Sequence, residues 1–129
     1  MATEPGAPGG LARRLLERLT KTSVQLDADE LHDTSVSLGA TPIAELVERQ
    51  RATVVGEVRS VALRPQVQVA ALVVELFDGT DAITLVWLGR RAIVGIEPGV
   101  ILRVQGRVTQ LRGVRTIYNP AYEIVPQDV

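Results

Sequence analysis

Cysteine is absent from this chain, and with it go disulfides, thiol nucleophiles and thiolate metal sites. Histidine occurs once, at His32, too few for an ordinary zinc site. Only four aromatics are present (Phe77, Trp87, Tyr118 and Tyr122), so Val, Leu and Ile must build any core. No apolar run approaches the ~20 residues of a membrane span. Arg13, Arg14 and Arg18 interrupt the only early leucine-rich stretch, so no secretion signal is expected. A soluble, cytoplasmic protein is the expectation.

Catalytic patterns are missing as well. The chain has no glycine-rich phosphate loop followed by Lys-Ser/Thr, and no nucleophile elbow. Asp27-Ala28-Asp29 begins like a calcium loop, but Leu31 and a missing glycine break the spacing. His32 lies between Leu31 and Asp33 in a polar segment, where a solvent-facing side chain is expected rather than a general base. The Asp78/Asp81 pair is accounted for by a turn. No enzymatic activity, cofactor or metal is expected.

What is present is a succession of β-prone runs. Val67–Phe77 and Ala82–Gly89 flank Asp78-Gly79-Thr80-Asp81, and Asp-Gly between two such runs is a strong hairpin signal. Three further strands are expected at Ala52–Leu63, Val100–Leu111 and Val114–Val125. Arg64-Pro65 separates the first strand from the second, because proline cannot donate to a ladder. Glu97-Pro98-Gly99 turns into the fourth strand, and Arg112-Gly113 turns the fourth into the fifth. Gly56-Glu57-Val58 in the first strand is echoed by Gly106-Arg107-Val108 in the fourth. Mid-strand glycines mark bulges or the sharp bends that curl a sheet on itself. Leu102, Val104 and Val108 alternate with Arg103, Gln105 and Arg107, as a half-buried strand requires. A small antiparallel five-stranded barrel follows.

The N-terminal part reads differently. Residues 1–10, with two prolines and three glycines, are expected to be a flexible tail. Residues 11–50 form a helical extension: Leu11, Leu15 and Leu19 define a helix at Leu11–Lys21. An acidic link follows, with a short helical turn at Asp27–Leu31. Thr41-Pro42 then opens a short helix running to about Gln50. Charge divides along the same line. Residues 1–50 carry eight acids and five bases, whereas residues 51–129 carry nine arginines and seven acids. That tilt is far milder than in a chain that must neutralise many phosphates.

Several segments, in order, carry a family resemblance: Val54-Val55-Gly56-Glu57-Val58-Arg59-Ser60-Val61, Glu75-Leu76-Phe77-Asp78-Gly79-Thr80 and Leu85-Val86-Trp87-Leu88-Gly89. Ile96-Glu97-Pro98-Gly99, Val104-Gln105-Gly106-Arg107-Val108 and Tyr118-Asn119-Pro120-Ala121-Tyr122-Glu123-Ile124 complete the series. Together they resemble the OB-fold wedge domain of the branched-DNA helicase RecG. They are more similar still to small stand-alone actinobacterial proteins named for an OB-fold nucleic-acid-binding domain. The resemblance spans roughly residues 48–125, and the leading 50 residues resemble only the stand-alone group. It implies a mainly β, five-stranded Greek-key OB-fold barrel over residues 51–129, with one or two N-terminal helices and nucleic acid as ligand class. No helicase motor is present, so the wedge's strand-separating role is not carried over.

OB-folds present their second and third strands, with the loops joining strands one–two and four–five, to oligonucleotides. Here those loops hold Arg64 and Arg112, with Arg115 just beyond, and Arg90 and Arg91 follow the third strand. A guanidinium pairs phosphate bidentately and stacks on bases, although exposed arginines also serve solubility. Trp87 is the candidate stacking platform, but its alternation with Ile83 and Leu85 favours the core. Tyr118 and Tyr122 could each stack on a base, but closing a barrel end is the role favoured for them, and Phe77 is placed to pack.

The expected function is weak, largely sequence-independent binding of single-stranded DNA or RNA, or of branched nucleic acid. The alternative is a protein-interaction or self-association module of the same fold, with the Leu11/Leu15/Leu19 helix docking on the barrel, a partner or a second copy. The acidic segment Asp27–Asp33 is also placed to lie across the arginines when no ligand is bound.

Overall fold

The computed structural model describes residues 27–64 and 69–127. The expected tail at 1–10 and helix at Leu11–Lys21 lie outside the described residues, as does Pro65. A helix, α1, occupies residues 27–37, longer than the single turn expected at Asp27–Leu31. Its more enclosed positions, Ala28, Leu31, His32 and Ser35, recur at helical spacing, while Asp27, Asp29, Glu30 and Asp33 are exposed or nearly so. His32 is therefore half-buried with its Nδ1 enclosed, not solvent-facing.

The strands are β1 (Arg51–Arg64), β2 (Ala71–Phe77), β3 (Ala82–Leu88), β4 (Ile101–Arg107), β5 (Thr109–Leu111), β6 (Val114–Tyr118) and β7 (Ala121–Val125). The five expected strands are all there, the fourth and fifth each split in two. Val108 divides β4 from β5 because its amide and carbonyl bond to Gln50 and Arg49 instead. Asn119 at φ 49 and Pro120, which lacks a donor, divide β6 from β7. The β5–β6 turn at Arg112-Gly113 has both central residues at positive φ, the geometry a two-residue hairpin favours.

All seven strands form one sheet in the order β5-β6-β3-β2-β1-β4-β7. β4, β1, β2 and β3 are successive antiparallel neighbours, a Greek key, and β6 runs parallel to β3. The circuit is not closed by a ladder between β5 and β7; the chain itself completes it, across Val108 and across Asn119-Pro120. Gly106 shows how near β4 and β6 come. A Cβ built there would lie 2.5 Å from Ile117 Cγ2. Gly56 has the corresponding role in β1, where a Cβ would stand 2.6 Å from the Phe77 carbonyl oxygen. The register slips three residues later, leaving Arg59 as a bulge.

Leu72, Val74 and Leu76 of β2, Ile83, Leu85 and Trp87 of β3, Val54 and Val58 of β1, and Leu102 and Val104 of β4 fill the interior. Ile93 and Ile96 enter the same core from the β3–β4 connection, and Ile43 and Leu46 from the segment before β1. The helix expected to reach about Gln50 is only a 3-10 turn, Ile43–Glu45. Its leading amides are satisfied from far away: Ile43 N–H donates to Asp78 Oδ2 (2.8 Å) and Ala44 N–H to Thr80 Oγ1 (3.2 Å). Leu46 then turns extended at φ −70, ψ 140, which keeps its side chain in the core.

Candidate functional site

Register determines which side chains share the outer face of β1, β2, β3 and β6. Four cross-strand rows follow from the ladders: Arg64–Ala71–Leu88, Ala62–Val73–Val86–Tyr118, Ser60–Glu75–Thr84–Thr116 and Glu57–Phe77–Ala82. Successive strands lie about 4.8 Å apart, so each row is a short track across the sheet. The first two rows are apolar with a cationic margin. Leu88 is 48% exposed and Tyr118 43% exposed. Arg64 ends β1 in the same row as Leu88, two strands across, and Arg90 and Arg91 follow β3 by two and three residues; all three are exposed. None of the three makes a salt bridge among the described residues.

Asn119 holds this corner together, and its side chain was not legible as a functional one. Its backbone N–H donates to the Val86 carbonyl (2.7 Å), and its side-chain Oδ1 accepts from Leu88 N–H (2.9 Å). Those two bonds lock the end of β3 to the end of β6, setting Leu88 and Tyr118 side by side. The positive φ at Asn119 is the local signal for such a clamp.

The remaining expected site residues fall elsewhere. Trp87 is 4% exposed, in the core. Its Nε1 donates to the Pro120 carbonyl (3.2 Å), and its ring meets Tyr122 edge-on at 5.7 Å and 82°. Its faces are packed, so it offers no platform for a base. Arg115 is engaged internally, because β6 starts level with the β2–β3 turn. Its Nη1 donates to Asp81 Oδ2 (2.7 Å), its Nη2 to Ala44 O (3.2 Å) and its Nε to Leu46 O (3.4 Å). Arg112 is exposed but stands at that same end. The end holding Arg64 and Arg90 is a full β3 length away, about 20 Å. The expected arginines thus form two groups rather than one rim.

At the hairpin end, Arg59 was missed by sequence reasoning. The bulge presents its guanidinium over the Phe77 ring, 4.6 Å from the centroid, with Glu57 at 2.9 Å. This geometry stacks a cation on an aromatic face. A cleft between α1 and the barrel opens beside it, lined by Asp27, Glu30, Leu31, Glu57 and Arg59 among others. The acidic helix therefore borders Arg59 and the β2–β3 turn. It does not cross Arg64, Arg90 and Arg91.

Among the described residues, no group of three His, Cys, Asp or Glu side chains could hold a metal. No described helix is long and apolar enough to cross a membrane.

In overall shape the chain is similar to a structure of RecG bound to a three-way DNA junction. The TM-score is 0.57 at 22% identity, over 68% of this chain and 12% of that one. It is also similar to a chain of the replication protein A heterotrimer bound to single-stranded DNA, with TM-score 0.50 at 21% identity, over 70% and 75% respectively. This chain therefore spans only about an eighth of the RecG chain it resembles. No family model and no curated protein sequence matches it. At such identities the likeness concerns architecture, and the architecture is an OB-fold.

Proposed function

We propose that this OB-fold chain is a non-enzymatic module that binds single-stranded or branched nucleic acid. The carrying observation is one end of the β1–β2–β3–β6 face, where Tyr118 and Leu88 lie exposed, Arg64 ends β1 in the same row as Leu88, and exposed Arg90 and Arg91 follow β3. Guanidinium groups there take phosphate oxygens, and the Tyr118 ring takes a base. Phosphate contacts carry no sequence information, so binding shows little base preference. Affinity is low, because one aromatic platform contributes about 1–3 kcal/mol and Trp87 contributes none directly. The two solved relatives in shape were each determined with DNA, which supports the ligand class.

Fluorescence polarisation with labelled oligothymidine across a salt series tests this. Single-strand binding loses affinity with a log–log slope of about −0.7 per phosphate contact. Three contacts predict about −2, and Arg64→Ala/Arg90→Ala/Arg91→Ala should bring the slope near zero. A flat wild-type response, or a slope the triple substitution leaves unchanged, refutes the assignment. The flat response is what apolar docking of a protein partner would give.

A further inference from the structure

Three arginines outside that face converge at another place. Arg51 opens β1 and Arg107 ends β4, and the antiparallel register makes them direct partners. Partners across such a ladder lie about 4.5–5.5 Å apart at Cα, where like charges weaken the pairing. Arg49 joins them: Arg107 Nη1 donates to the Arg49 carbonyl oxygen at 2.8 Å. Arg49 itself sits at φ 74, a left-handed conformation held by the hydrogen bond its backbone N–H donates to Val108 O at 2.7 Å. All three side chains are exposed, and none forms a salt bridge among the described residues, although Glu48 adjoins Arg49.

The ribbon continues as a ligand-ready surface. Thr53 and Gln105 form the next outward pair, with Gln105 Nε2 donating to Thr53 Oγ1 at 3.3 Å. Arg103 follows on the same face and is paired with Glu123 at 3.7 Å. In the ladder order β4 is separated from β3 by β2 and β1, which sets this ribbon apart from Tyr118, and Arg64 lies at the opposite end of β1, in the half that pairs β2 rather than β4. A left-handed backbone and two directly paired arginines with no salt bridge among the described residues make a poor solubility device. They suit a site whose repulsion is relieved by a bound polyanion.

We infer that Arg49, Arg51 and Arg107 form a second phosphate-backbone site on the β1–β4 ribbon, holding a second arm of the nucleic acid whose first arm lies on the β2–β3–β6 face. This rests on the function proposed above. Two phosphate sites set apart on one small barrel fit a forked ligand better than a short linear strand.

The test compares Arg51→Gln/Arg107→Gln with wild type on two labelled probes. One is a single strand of about eight nucleotides, within the site size of one such barrel, and the other is a fork with two such arms. The variant should bind the single strand within about twofold of wild type. It should bind the fork about tenfold more weakly, with a salt slope smaller by about 1.4. Unchanged fork affinity overturns the inference, as does an equal loss on both probes, which would mean one shared site. Wild type binding neither probe removes the proposed function as well, so the two failures are distinguishable. Melting supplies an independent readout without nucleic acid. The variant should fold and melt no lower than wild type, and inorganic tripolyphosphate should raise the melting temperature of wild type more than that of the variant. Equal rises overturn the site.

Discussion

Replacing Asp78 by alanine should cost this small barrel more than any other single polar change among the described residues. The carboxylate is fully buried. Oδ2 accepts from Ile43 N–H at 2.8 Å, and Oδ1 accepts from Thr80 N–H (2.9 Å), Thr80 Oγ1 (2.6 Å) and Asp81 N–H (3.2 Å). Removing it strands the Ile43 amide in a dry site, at about 1–3 kcal/mol. The two turn amides regain water more easily, at about 0.5–1.5 kcal/mol each. Together these predict a loss of about 3–4 kcal/mol, which for a domain of this size lowers the melting temperature by roughly 10–20 °C. Asp78→Asn should fall between, because one side of the amide must present N–H groups to N–H donors. Urea denaturation followed by the fluorescence of buried Trp87 measures both. Asp78→Ala within about 1 kcal/mol of wild type would refute the idea that this carboxylate staples the pre-β1 segment to the hairpin.

Two further outcomes follow from the packing. Gly56→Ala places a methyl group against the Phe77 backbone, which cannot swing aside, so a loss of about 1–3 kcal/mol is expected in the same denaturation assay. Trp87→Phe gives up the bond to Pro120 and should cost about 1–2 kcal/mol, yet leave oligonucleotide affinity within twofold in polarisation. A selective loss of binding with stability intact would return Trp87 to the binding surface.

Much of the fold was legible because it is local. Asp-Gly between β-branched runs specified the β2–β3 hairpin, and Arg112-Gly113 specified the β5–β6 turn. The strand boundaries followed to within one residue except in β2, which starts at Ala71 rather than Val67. The splits at Val108 and Asn119 were not visible, since the first depends on residues 49 and 50 pairing back from before β1. The full length of α1 was obscured because its inward face is Ala28, Leu31, His32 and Ser35, too polar to register as an apolar stripe. The site divided in the same way. That Arg64, Arg90 and Arg91 would be exposed was readable from strand ends, whereas Tyr118 was read as closing a barrel end and is instead 43% exposed. Burial of Trp87 was legible in its alternation with Ile83 and Leu85, whereas the engagement of Arg115 with Asp81 joins residues 34 apart, which no local pattern encodes.

The short stretch from Ile43 to Gln50 carries a practical lesson for anyone excising this barrel. It contributes two side chains to the interior, caps the hairpin and fills the gap in the hydrogen-bond circuit at Val108. A fragment trimmed to begin at the first strand would be missing its own lid and seam. The minimal transplantable unit is therefore longer at its front than the run of strands suggests.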